Sequence, residues 1–236
     1  MSVSRVAALV PAYQAASTVG DVVRGTRAVL PDVVVVDDGS TDATGEVAKA
    51  AGAVVLRQDP NAGKGAALVR GFRHLHDAGF THAVTLDADG QHYPDEIPVL
   101  LGALAAEPGA LVVGVRRKDG QEISSVALFG NWFADTVMPW IVGQALPDTQ
   151  SGFRVYPLAA TLALAAAGTR YDFETEVLFL AARRGMPIVG VPVRVYYPPI
   201  EERVSHFDPW RDTARIVCTV LRVLAAPFWT PGGRMG

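Results

Sequence analysis

The stretch "DVVVVDDGS", Asp32 to Ser40, sets the frame for the whole chain: four successive valines, then two aspartates, a glycine and a serine. A strand with one wet face alternates apolar and polar residues. An unbroken β-branched run instead fits a strand covered on both faces, as in a parallel sheet. The same rhythm recurs on either side. Upstream, "RVAALVPA" reads as a strand running into a Pro-containing turn, and Ser17 to Leu30 has helical spacing through Val19, Val22, Val23 and Thr26. Downstream, "TDATGEVAKAAG" reads as a helix, with Ser40 or Thr41 expected at its N-cap and Gly52 at its end. Strand "AVVLRQD", helix "GKGAALVRGFRHLHDAG" and a fourth strand "HAVTLDADG" follow. This alternation predicts an α/β fold, a mostly parallel central sheet with helices on both faces. Ligands of such sheets sit beyond the carboxyl ends of the strands. Those ends carry Pro11-Ala12-Tyr13, Asp37-Asp38-Gly39-Ser40, Arg57-Gln58-Asp59 and Asp87-Ala88-Asp89.

After "ALVVGVRRKDG" the regular alternation stops. Ser124 to Leu146 reads as a helix carrying Trp132, Phe133 and Trp140, with a bend or break expected at Pro139. Then come "PDTQSGFRVYP", an Ala-rich helix from Leu158 to Ala167, "YDFETEVLFLAARRG", the strand-like "PIVGVPVRVYYPP", a basic loop, and a final helix from about Pro209 to Ala226. With no repeat, low-complexity tract or flexible linker, residues 1–236 are expected to form a single domain of two intimate halves, 1–115 and 116–236.

Composition narrows the function classes. Of the 236 residues, 50% are hydrophobic and 19% charged, a globular balance. A net charge of −3 gives no general reason to bind nucleic acid. The single cysteine, Cys218, rules out an internal disulfide and fits a reducing compartment. The apolar start is broken at Pro11, and no uncharged apolar run reaches the ~20 residues needed to cross a bilayer. The expected location is the cytoplasm.

The stretch "VTLDADGQHYPD", Val84 to Asp95, puts two carboxylates one residue apart at the end of a strand. Such a pair is explained by a cation, by a nucleophile and acid working together, or by a polar turn. Asp87, Asp89 and Gln91 offer three oxygen ligands, a set that suits Mg²⁺ or Mn²⁺ with positions left for water and phosphate. In "VVVVDDGSTD", Asp37 and Asp38 offer acceptors to a base N–H or ribose hydroxyls, or alternatively Ser40 and Asp42 simply cap the next helix. In "NAGKGAALVRGF", Asn61, Gly63 and Gly65 permit close backbone approach before a helix N-terminus, and Lys64 adds positive charge. It is not a P-loop, because Gly65 stands where that motif needs Ser or Thr, and no G-x-G-x-x-G follows a strand.

In order and spacing, "LVPAYQAAST", "VVDDGSTDAT", "NAGKGAAL", "LDADGQH", "DTQSGFRVYP" and "FETEVLFLA" resemble the family 2 glycosyltransferases of the GT-A fold. The chain looks most like their dolichyl- or polyprenyl-phosphate mannose synthase branch. It departs from them after Tyr13, where Gln14-Ala15 replaces the usual Asn and acid. The resemblance implies a nucleotide-diphospho-sugar, of GDP-mannose or UDP-glucose type, lying over the strand ends. Its expected contacts are Pro11, Ala12, Tyr13, Asp37, Asp38, Lys64, Asp87, Ala88 and Asp89. It implies a divalent metal on Asp87, Asp89 and Gln91, an inverting transfer, and residues 1–115 and 116–236 as donor and acceptor halves. Asp89 and Asp148 are the catalytic candidates. Asp148 serves as general base for a hydroxyl acceptor, or merely orients an acceptor that is a lipid phosphate, which arrives already ionised.

Arg116, Arg117, Arg203, Ser205 and His206 are candidates to grip an acceptor phosphate or the donor diphosphate, with His206 an alternative metal ligand. Arg211, Arg215 and Arg222 share one face of the last helix, which reads either as a peripheral membrane contact at the inner face of the membrane or as a helix packed on the sheet. Two other functions compete. A haloacid-dehalogenase-type phosphatase would use Asp87 as nucleophile and Asp89 as acid, but it needs the motif on its first strand. A non-catalytic nucleotide-sugar-binding protein would keep the fold without turnover.

Overall fold

The four strand-like runs of the first half become strands in a computed structural model, which describes residues 4–116, 147–196, 215 and 218–223. The strands are β1 (Val6–Ala12), β2 (Val33–Asp38), β3 (Val54–Gln58), β4 (His82–Thr85), β5 (Leu111–Arg116), β6 (Arg154–Pro157) and β7 (Ile188–Val193). They form one seven-stranded sheet in the order β3-β2-β1-β4-β6-β5-β7. β1 pairs in parallel with β2 and β4, β2 with β3, and β5 with β7. β6 runs antiparallel to both its neighbours, β4 and β5. It pairs Arg154 with Thr85 of β4 and with Val113 of β5. Residues 147–153 therefore arrive at the carboxyl end of β4, which is the rim the sequence marked out.

Helices α1 (Val19–Arg27), α2 (Thr44–Ala50), α3 (Lys64–Asp77), α4 (Ile97–Ala106), α5 (Leu158–Ala163) and α6 (Asp172–Arg183) cover the sheet. The valine run of β2 divides as a doubly covered strand should. Val34 and Val36 join Leu9, Phe72, Phe173 and Phe179 in one core, whereas Val33 and Val35 join Val10, Val23, Ile97 and Leu100 in the other.

Two expectations need correction, and a third resolves between its alternatives. Helix α2 begins at Thr44, later than a Ser40 or Thr41 cap requires. Ser40 instead accepts the backbone N–H of Gln14, and Asp42 accepts that of Thr44. The Ala-rich helix stops at Ala163, four residues short of Ala167. There the backbone N–H groups of Ala167 and Gly168 leave the helical pattern to donate to the buried Glu176 carboxylate. In the last helix, Val220 and Val223 are buried in the core beside α6, and Arg222 pairs with Glu176 at 3.0 Å. This part of the helix packs on the protein, while Arg215 is exposed. Arg211, the segment 124–146 with Trp132, Phe133 and Trp140, and the basic loop lie outside the described residues. No helix among the described residues is long and apolar enough to cross a membrane.

Arg154, fully buried, is the largest such side chain. Its guanidinium donates to the carbonyls of Ser151 (2.6 Å), Glu174 (2.7 Å) and Thr149 (2.8 Å). These bonds fasten β6, the loop before it and α6 together. Replacing Arg154 with methionine should strand all three carbonyls, lowering unfolding free energy by about 3–5 kcal/mol in a urea titration. A second prediction concerns His82, which is buried and bonded to the Pro108 carbonyl. Burial lowers its pKa below 6.5, with that hydrogen bond only partly compensating. The unfolded chain thus takes up a proton at a pH where the folded one does not, and stability should fall as pH drops below about 6.5. His82→Gln should make that acid slope shallower in unfolding curves at pH 7 and pH 5.

Candidate active site

β4 ends at Thr85, and two residues later Asp87 turns into the rim. Four contacts hold this turn. The Thr18 hydroxyl donates to the Ala88 carbonyl at 2.6 Å, and the Thr85 hydroxyl to the Gly152 carbonyl at 2.7 Å. The Asp87 N–H donates to Nδ1 of His92, whose ring stacks on Phe153. The Gln91 N–H donates to the Asp89 carboxylate at 3.0 Å. Gly152 is needed here, since a β-carbon would stand 2.6 Å from an Asp87 oxygen. Burial pushes His92 down to about 4, so it is neutral and acts as an acceptor.

Lys64, the first residue of α3, reaches Asp87 at 2.6 Å and Glu174 of α6 at 3.1 Å. The glycines beside it make that reach possible. A β-carbon on Gly63 would lie 2.4 Å from the Thr169 carbonyl oxygen, and one on Gly65 would lie 2.6 Å from Cβ of Phe173. The close backbone approach read from "NAGKG" is thus an approach of the protein to itself. The N–H groups of Ala62 and Gly63 donate to the Asp38 carboxylate at 2.8 Å each.

The charges are strongly coupled. Burial alone would raise the Asp87 carboxyl, but the Lys64 ammonium overrides it and holds it below its usual range. Burial also favours a neutral Lys64, yet Asp87 and Glu174 together keep it firmly protonated. Glu174 is pushed up, chiefly by burial, and its Oε1 is buried without a hydrogen-bond partner. Asp89 opens to the surface, but partial desolvation and the neighbouring Asp87 charge raise it to about 6. A carboxylate that resists ionisation beside another carboxylate marks a local shortage of positive charge.

The second wall comes from Arg116 at the end of β5 and from Asp148. Nε and Nη2 of Arg116 donate to the two Asp148 oxygens at 2.8 Å each, and the Arg116 N–H adds a third bond at 3.1 Å. Asp148 has a positive φ of +23°, uncommon for a residue other than glycine. Burial would raise its carboxyl, but Arg116 holds it below the ordinary range, leaving a weak proton acceptor. Lys64, Asp87, Arg116, Gln150, Tyr171, Glu174 and Thr175 line a cavity of about 180 Å³.

The structure therefore brings Lys64, Asp87 and Arg116 to one cleft, with Asp148 bonded to Arg116 and the exposed Asp89 two residues beyond Asp87. It turns two expected donor contacts inward. Asp38 has Gln58, Ala62 and Gly63 as donors, so its carboxylate builds the loop before α3. Asp37 is wholly buried, bonded by the Ser40 N–H and paired with Arg57. Pro11 and Ala12 are buried at the end of β1, and Tyr13 beside them is exposed. Gln14 carries the departure in the first motif. Its amide oxygen accepts the N–H groups of Thr41 and Asp42, joining the first strand-end loop to the second. Arg117, Arg203, Ser205 and His206 lie outside the described residues.

Sequence reasoning missed Glu174, Arg154 and His92 as site residues. Each lay inside a quoted motif, "FETEVLFLA", "DTQSGFRVYP" or "LDADGQH", and an acid, an arginine and a histidine within apolar context were the available signals.

Asp87 and Asp89 supply hard oxygen donors suited to Mg²⁺ or Mn²⁺, and the raised Asp89 pKa shows the charge such an ion would relieve. Among the described residues no three His, Cys, Asp or Glu side chains converge on one point. This is a partial ligand set, of the kind completed by substrate phosphates.

Comparison with known proteins agrees with this geometry. The family described as Glycosyl transferase family 2 matches residues 7–161. The undecaprenyl-phosphate mannosyltransferase of Micrococcus luteus is 32% identical over 208 residues, covering 80% of this chain and 82% of that protein. The polyprenol monophosphomannose synthase of Mycolicibacterium smegmatis is 29% identical over 210 residues, covering 80% of this chain and 76% of that one. Among solved structures, glucosyl-3-phosphoglycerate synthase from Mycobacterium tuberculosis, in complex with Mn²⁺, uridine-diphosphate-glucose and phosphoglyceric acid, superposes with a TM-score of 0.68. It covers 95% of this chain and 81% of its own at 22% identity, a likeness of fold. The first strand-end loop, the carboxylate turn after β4 and the loop before α3 all fall within the matched span, and the chain belongs to glycosyl transferase family 2.

Proposed function

We propose that this enzyme transfers a hexose from a nucleotide-diphospho-sugar to a polyprenyl or dolichyl phosphate, with inversion, using Mg²⁺ or Mn²⁺ bound through Asp87 and Asp89 with Gln91 alongside. One observation carries the reading: two carboxylates, a buried lysine and a carboxylate-anchored arginine face a single cleft beyond the strand ends. The relatives named above support a lipid-phosphate acceptor. The Mn²⁺ and uridine-diphosphate-glucose of the solved structure support a metal-assisted donor.

The roles follow from chemistry. A divalent cation supplies charge neutralisation to the departing nucleotide diphosphate. Lys64 offers a second positive charge at the same place. The anomeric carbon passes through an oxocarbenium-like state as its bond to the donor phosphate oxygen breaks and a bond to the acceptor oxygen forms on the opposite face. A phosphate acceptor is already ionised, so no general base is required. Asp148, held below the usual carboxylate range by Arg116, then serves to fix that guanidinium toward an anionic acceptor. Arg117, Arg203, Ser205 and His206 are proposed to complete the acceptor grip. Residues 1–115 and 116–236 form the donor and acceptor halves, and the acceptor's lipid chain brings the enzyme to the cytoplasmic membrane face.

Titration calorimetry of GDP-mannose, UDP-glucose, GDP and UDP, with and without Mn²⁺, tests the reading. One nucleotide should bind in a Mn²⁺-dependent manner, and Asp89→Ala should weaken that binding at least ~100-fold. Mn²⁺-independent binding, or none, would count against it. Gly152→Ala should push the Asp87 carboxylate aside. It is expected to cut Mn²⁺-dependent nucleotide affinity by ~10-fold or more while lowering unfolding free energy by only about 1 kcal/mol.

A further inference from the structure

Asp87 meets the Lys64 ammonium at 2.6 Å, in the place where the proposed function puts a divalent cation. Ammonium and metal both draw on the same carboxylate, and two such cations within a few ångström of each other repel strongly. Lys64 has a second carboxylate in reach, Glu174 at 3.1 Å, whose other oxygen is buried and unpartnered. Its backbone is pinned by the tight contacts of Gly63 and Gly65, so movement is confined to the side chain, which lies against the cavity shared with Asp87 and Glu174.

We propose that Lys64 is an exchangeable counter-cation: its ammonium occupies Asp87 in the free enzyme and passes to Glu174 and the incoming diphosphate when the metal takes Asp87. The exchange makes the two ligands cooperative. A metal arriving alone must displace a lysine whose other carboxylate in reach among the described residues is Glu174. A metal arriving with a diphosphate brings the anion that receives the lysine. Glu174 is accordingly a positioning residue, which keeps the released ammonium beside the cleft. The inference rests on the metal–diphosphate reading of this site.

The test is a thermodynamic cycle with Mn²⁺ and whichever of GDP or UDP the wild type binds, in wild type, Lys64→Met and Lys64→Arg. The quantity read is the factor by which saturating Mn²⁺ tightens nucleotide binding, which must equal the factor by which nucleotide tightens Mn²⁺. In Lys64→Met, Mn²⁺ alone should bind ~10-fold tighter and the coupling factor should fall ~10-fold, whereas Lys64→Arg should keep the wild-type coupling within about threefold. A lysine that only touches the donor, or only supports the fold, would weaken nucleotide binding equally with and without Mn²⁺. Unchanged coupling in Lys64→Met therefore overturns the inference while leaving the proposed function standing. Failure of wild type to bind either nucleotide with Mn²⁺ overturns both.

If Lys64→Met does not fold, ¹⁵N spectra of the wild-type lysine ammonium groups give the answer. Lys64 is one of three lysines, and the Lys64→Arg spectrum assigns its signal. That signal should move when Mg²⁺ and nucleotide are added together, and an unmoved signal overturns the exchange.

Discussion

The Arg154 guanidinium is a full positive charge sealed inside the protein and held by carbonyl oxygens, with no carboxylate paired to it among the described residues. A charge in that position is tolerable only while every donor is satisfied, so each carbonyl it touches becomes an obligatory part of the fold. Those carbonyls belong to Thr149 and Ser151 in the loop after Asp148, and to Glu174 in α6. The same side chain therefore sets the height of the Asp148 loop over β4, the position of Gly152 under Asp87, and the start of the helix that delivers Glu174. Weakening it would disturb both walls of the cleft at once.

The cleft is arranged as pairs of opposite charge that burial makes interdependent. Asp87 is ionised because Lys64 is near, Lys64 is protonated because Asp87 and Glu174 are near, and Asp148 is ionised because Arg116 clasps it. Asp89 is the member left over, exposed, with its carboxyl raised to about 6. In a medium of reduced polarity such an imbalance is felt by any ligand that enters, and it favours one bringing positive charge with it.

Much of this was legible in the sequence, for physical reasons that can be named. The valine run predicted a doubly covered strand because period-2 geometry sends successive side chains to opposite faces, and Val33 through Val36 divide between the two cores accordingly. Asp87 and Asp89 were legible because strand ends in α/β sheets gather at one rim. The glycines of "NAGKG" misled, since a glycine that admits a phosphate and one that admits a neighbouring carbonyl look identical in a sequence. Asp38 reads two ways for a similar reason: a carboxylate after a strand can serve a ligand or three local donors, and the structure shows the local donors. Glu174, Arg154 and His92 were hidden because their importance depends on β6 being inserted between β4 and β5. No local pattern encodes that arrangement.

The insertion of β6 has a consequence for how the chain comes together during synthesis. β1 to β4 pair with one another, and β5 pairs with β7; among the described strands β6 joins these two groups, and it begins 38 residues beyond the end of β5. A ribosome that has released residues up to Arg116 has produced β5 with neither of its partners. The exposed edges of β4 and β5 must wait for the strand that fills the gap between them. β6 therefore joins the two groups across a high sequence separation, and β7, made later still, adds at the edge beside β5, so this side of the sheet is expected to form slowly relative to β1 to β4. The loop carrying Asp148 enters with that strand. Joining of the two groups and assembly of the second wall of the cleft are one event, and a nascent chain lacking it has no finished site with which to capture substrate.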